Sequence, residues 1–102
     1  MDNYYLTAEQ ITAFSLHLRM EEHSPGTVEK YLRDVGAFAR WLEDRPVTKE
    51  AAAGWKAHLQ AAGYAPATIN CMLIALNRFF RFAGKPQFGA RLLRVQRHTF
   101  RD

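Results

Sequence analysis

At 102 residues, with 48% hydrophobic and 13% aromatic content, the chain is expected to fold as one domain around a single modest core. No apolar run approaches the ~18 residues of a membrane span, and MDNYYLTAEQ lacks the basic-then-apolar pattern of a secretory leader, so no membrane partner is expected. A lone cysteine, Cys71, excludes an internal disulfide or a cysteine-based zinc site and makes a reducing, cytoplasmic setting the expectation.

The net charge of +4 is unevenly spread. Residues 1–50 hold six Lys/Arg against nine Asp/Glu, or −3, whereas residues 51–102 hold eight against one, or +7. Such an excess on half of a small domain suits either a polyanion-binding surface or a solvated basic face.

In chain order, Thr7 and Gln10 have capping-box spacing, with Leu6 as a staple residue. They predict a first helix with Ile11, Phe14 and Leu18 on one face, broadened by Leu16 and Met20, ending in the charged run to His23. Ser24 as N-cap and Pro25 at the first helical position predict a second helix to about Asp44. Val28, Leu32, Val35, Phe38 and Leu42 form its core stripe, with Tyr31 and Trp41 in support. Glu29, Lys30, Arg33 and Arg40 lie opposite. Small Gly36 and Ala37 would let another helix approach. Arg45-Pro46 breaks the chain, and Thr48 caps a third helix to about Ala62 with Ala52, Trp55, Leu59 and Ala62 as its apolar face. Gly63 is the expected left-handed C′ residue. A fourth helix opens at Pro66, runs to about Ala83 with Ile69, Met72, Leu73, Leu76, Phe79 and Phe80 inward, and ends at Gly84.

Ser24–Leu42 and Ala65–Ala83 match in type at an offset of 41 residues: Pro25 with Pro66, Thr27 with Thr68, Leu32 with Leu73, Phe38 with Phe79, Arg40 with Arg81. One helical hairpin is therefore used twice. The expected fold is all-α, four helices in two hairpins, over residues 1–84, followed by a basic tail at 85–102. In that tail Arg91, Arg94, Arg97 and Arg101 would share one face of a helix, with Leu92, Leu93 and Val95 opposite. An extended basic linker fits equally well.

The four histidines have no metal-ligand spacing, no glycine-rich phosphate loop occurs, and nothing activates Cys71 or a serine as nucleophile, so neither metal, cofactor nor catalysis is expected. Binding is better equipped. The starts of helices two and four offer the hydroxyls of Ser24, Thr27 and Thr68 beside backbone N–H groups, termini that receive phosphates. Lys30 and the pair Asn70-Cys71 follow one turn on. Capping alone would also explain the hydroxyls.

Ser24, Thr27, Tyr31, Asp34, Phe38, Trp41 and Leu42, together with Pro66-Ala67-Thr68-Ile69-Asn70, Leu73, Ala75-Leu76, Phe79-Phe80 and Phe82, resemble the N-terminal core-binding (SAM-like) domain of tyrosine recombinases, the phage-integrase family. The resemblance covers Leu6–Gly84. It implies a four-helix SAM-like orthogonal bundle that clamps duplex DNA opposite a separate catalytic domain, with no cofactor and with other recombinase protomers as partners on DNA. The isolated domain would be monomeric. Helices two and four would then bring Ser24, Thr27, Lys30, Thr68, Asn70 and Cys71 to DNA, with Arg33, Arg78 and Arg81 on phosphates. The tail, with Arg91, Arg94 and Arg97, resembles the start of the interdomain linker. The family's Arg/His/Lys constellation is not found, and Tyr4, Tyr5, Tyr31 and Tyr64 lie outside the context of its tyrosine nucleophile. A protein-interaction module is the rival reading, marked by an exposed apolar patch around Phe79, Phe82 and Phe88. A helix-turn-helix regulator would need a short turn between two short helices, which no stretch supplies.

Overall fold

A computed structural model describes residues 3–94. It contains four α-helices, α1 (Ala8–Met20), α2 (Pro25–Leu42), α3 (Lys49–Ala61) and α4 (Pro66–Phe82), and a single 3₁₀ turn at Pro86–Phe88. Each start has its local cause. The Thr7 hydroxyl accepts the Gln10 N–H at 3.2 Å while the Gln10 side chain accepts the Thr7 N–H at 2.9 Å, completing the capping box of α1. Ser24 and Thr48 cap α2 and α3 in the simpler way, each hydroxyl accepting an N–H from the third residue on. Helix α4 begins on Ala65, which has no capping side chain.

The C-terminal ends repeat more closely than the starts, with positive φ after each of the four helices. Gly63 and Gly84 adopt φ of 91° and 76° after α3 and α4, and the flanking N–H groups close back on helix carbonyls. At the same offset of 41, Glu22 and Glu43 occupy the left-handed positions after α1 and α2, at φ of 64° and 58°. Side chains that favour right-handed backbone thus stand where the second hairpin uses glycine. The α2 end has further support from Arg45. Its guanidinium donates to the carbonyls of Leu42 (2.9 Å) and Trp41 (2.6 Å) and lies 4.5 Å from the Trp41 ring centroid.

Helices α2 and α4 cross at the centre, and α1 and α3 flank them. Phe14, Leu18, Val28, Val35, Phe38, Leu42, Trp55, Leu59, Ile69, Leu73, Leu76, Phe79 and Phe80 are buried together. Phe38 sits at the middle, edge-on to both Trp55 and Phe80. Several sequence expectations need correction. Leu16 and Met20 face solvent rather than widening the core, because at 100° per residue they fall on the side of α1 opposite Leu18. Ala62 is an exposed cap residue. The close approach comes not at Gly36 but at Gly54, where a Cβ would lie 3.3 Å from the Trp41 ring.

The N-terminal segment crosses the bundle and pairs with the α2–α3 loop, Val47 N–H donating to Tyr4 C=O at 2.7 Å. The Tyr4 ring stacks on Phe88. Its hydroxyl is buried without a hydrogen-bond partner, and burial, partly opposed by the nearby Gln10 side chain, raises its pKa above the usual tyrosine value. No helix is long and apolar enough to cross a membrane among the described residues.

After the 3₁₀ turn the described tail, residues 89–94, is extended, not helical. It runs back along α4 as a strap. Asn77 donates to Ala90 C=O and accepts Ala90 N–H, both at 2.9 Å. Asn70 does the same for Leu93, at 2.9 and 2.7 Å. Seven residues of helix rise about 10.5 Å and three of extended chain about 10 Å, so the two side-chain amides match the strap's spacing. Ala90 and Leu93 pack on the core, whereas Arg91 and Arg94 are exposed.

Candidate functional site

A cleft between α2 and the start of α4 is lined by Lys30, Arg33, Asp34, Ala37, Tyr64, Thr68 and Met72. Asp34 forms its floor, with a side chain only 5% exposed. A buried carboxylate requires partners, and two cations one helical turn or less away supply them. Lys30 Nζ lies 3.1 Å from one Asp34 oxygen and Arg33 Nε 3.6 Å from the other. One acid thus serves two bases, so the trio keeps a net positive charge and the cationic side chains are held at the cleft instead of sweeping through solvent. Across the cleft stand the exposed Thr68 hydroxyl and Tyr64, which is 49% exposed. The uncapped first turn of α4 leaves N–H groups and the positive helix end open beside them.

At the start of α2 the corresponding groups are used internally. The Ser24 hydroxyl donates to Thr27 Oγ1 at 2.9 Å and accepts the Thr27 N–H at 3.2 Å. Thr27 lies one turn before Lys30 and Ser24 nearly two, and Thr27 is half-buried.

Other cationic positions lie elsewhere. Arg78 stands over the Tyr31 ring, 5.6 Å from its centroid, with Glu21 at 3.9 Å, in a depression bordered by α1. Both His17 and His23 lie 3.4 Å from that same Glu21 carboxylate. Arg81 is exposed and borders both this depression and an open groove beside the strap, where Lys49 and Arg91 join it. Arg94 is exposed at the end of the described residues, and Arg97 lies outside them. Cys71 is an exposed free thiol. Asn70 is occupied by the Leu93 backbone at both its amide atoms. The patch that would mark the rival reading is largely closed, because Phe79 is fully buried and Phe88 is packed between Tyr4 and Phe80.

Two contributors escaped the sequence reading. Asp34 enters only as a motif residue, though an acidic residue four positions after Lys30 on a core-bordering face is a usable signal. Tyr64 sits in the loop between Gly63 and Pro66, where no periodicity marks its direction.

The helix order, the paired hairpins and the motif residues together define a recombinase N-terminal domain. Residues 11–87 match the family model described as phage integrase, N-terminal SAM-like domain, and the chain belongs to that family. It is 32% identical over 84 residues to a protein named tyrosine recombinase XerA from Thermococcus kodakarensis (strain ATCC BAA-918 / JCM 12380 / KOD1). That alignment takes in 82% of this chain but 29% of the relative. No solved structure gives a significant match.

Proposed function

We propose that this domain binds duplex DNA through the cleft between α2 and the start of α4, mostly at backbone phosphates, and so places a tyrosine recombinase on its recombination site. The observation that carries the reading is the cleft itself. Lys30 and Arg33 are held by buried Asp34 opposite an uncapped helix start and the Thr68 hydroxyl. Cations, N–H dipoles and a hydroxyl converging from two helices suit phosphate oxygens. Family membership supplies the context of recombination. Ser24 and Thr27 extend the contact along α2. Cys71 and Arg78, which lie outside the cleft lining, and Arg94 and Arg97 of the tail are secondary candidates for phosphate contact. Strand cleavage and rejoining are assigned to a part of the recombinase beyond the matched domain, and other protomers would assemble with it on DNA. The setting is cytoplasmic.

Fluorescence anisotropy of a labelled duplex against salt concentration tests this. Affinity should fall steeply as salt rises, and Lys30→Ala should flatten the log–log slope by about one unit. Undetectable binding at low salt would falsify the reading.

A further inference from the structure

The strap does more than cover α4. Where it leaves the 3₁₀ turn it closes one side of an open groove that also takes Lys49, from the first turn of α3, and Arg81, from the last turn of α4. Arg91 comes from the strap itself. None of the three forms an ion pair with a carboxylate among the described residues, in contrast to Lys30, Arg33 and Arg78. Three unneutralised cations from three separate segments therefore border one concavity.

What holds Arg91 there is two neutral side-chain amides and one ammonium, with no carboxylate among them. Asn77 grips the preceding residue through both backbone groups of Ala90, Asn70 grips Leu93 beyond it, and Lys56 of α3 donates to the Arg91 carbonyl at 2.9 Å. The fit is tight at Gly89, where an added Cβ would come within 2.9 Å of Asn77 Oδ1. The register of the strap, and with it the position of Arg91, is thus fixed by side-chain amides reading main chain.

We propose that this groove is a second phosphate site for the backbone of duplex DNA, separate from the α2–α4 cleft and assembled by the Asn70/Asn77 clamp. Asn70 then acts as a positioning residue for the strap and not as a reader of DNA. The inference rests on the proposed DNA binding and adds a distinct surface to it. Charge complementarity points to a polyanion, and a groove open along its length suits a continuous backbone better than a closed anion pocket.

The experiment is the salt dependence of duplex binding by variants of the full chain, each shown to be folded by its thermal melt. Lys49→Gln, Arg81→Gln and Arg91→Gln should each flatten the slope by about one unit. Asn77→Ala should flatten it similarly although it changes no charge, and should add nothing in the Asn77→Ala/Arg91→Gln double variant. Asn70→Ala takes its place if Asn77→Ala does not fold. An unchanged slope in the groove variants, with Lys30→Ala still lowering it, overturns the second site and leaves the cleft standing. Loss of all duplex binding by the unaltered chain overturns both. Amide shifts on titration separate the sources: if inorganic phosphate moves the Arg81 and Arg91 signals as strongly as the duplex does, the groove takes free anions and the proposal fails.

Discussion

The two helical hairpins have nearly the same inside and different outsides. At the offset of 41, Val28 and Ile69, Val35 and Leu76, and Phe38 and Phe79 are all buried. A shared core must be filled to constant density from both sides, so those positions stay alike. Outward positions carry no such demand. Glu29 and Gly36 of α2 correspond to Asn70 and Asn77 of α4. At the border of the core, Asp34 stands where α4 has Ala75. The first copy uses its outer face to hold cations over a carboxylate, and the second uses its own to hold the strap. One architecture thus supports two tasks, divided by residues that the packing leaves free.

The largest effect tests the equivalence of the insides. Phe38→Ala and Phe79→Ala should each cost about 3–5 kcal/mol in denaturant unfolding, since both rings are fully buried. A cost below about 1 kcal/mol at either would show that the two copies do not share the core equally.

The helix starts differ next. Ser24→Ala should lose about 1 kcal/mol of stability by removing a cap, whereas Ala65→Ser should gain a similar amount by supplying one. If the uncapped α4 start receives a phosphate, the added hydroxyl of Ala65→Ser competes for the same N–H groups. Duplex affinity should then fall while stability rises. Stability and affinity rising together would count against a phosphate there.

The helix ends come third. Glu22→Gly and Glu43→Gly should each raise stability by about 0.5–1 kcal/mol, because both residues hold a left-handed backbone that glycine adopts freely. Gly63→Ala and Gly84→Ala should do the reverse. A loss of stability in Glu43→Gly would mean that its side chain offsets the backbone cost.

The smallest effect concerns Tyr4, which has no counterpart in the second copy. Its folded pKa is raised, so the fold favours the protonated phenol. The associated stability is present below about pH 10 and is lost as pH rises through the folded value. The melting temperature should drop above that pH in the unaltered chain and not in Tyr4→Phe, which should otherwise be neutral because the buried hydroxyl has no partner.

Much of this was legible in the chain. Thr7, Ser24 and Thr48 announced helix starts because capping is local chemistry. Gly63 and Gly84 announced ends because glycine is the usual left-handed residue. The other two ends are legible from the charged run at Arg19–His23 and from Arg45-Pro46. The left-handed backbone at Glu22 and Glu43 is not, because it lacks its usual glycine signal. Leu16 and Met20 misled because a broad apolar helix shows periodicity but not which part of it finds a neighbour.

The sequence by itself determined the four helices, the doubled hairpin and most of the core, since each follows from interactions within a few residues or from a 3.6-residue period. Only the tertiary structure decided the surface. It divided the expected contact residues between a cleft, an α1-side depression and a strap groove, because a helix face acquires meaning from what crosses it. It also decided the tail. The partners of Ala90 and Leu93 lie 13 and 23 residues away, and an extended segment held by distant amides leaves no period to read.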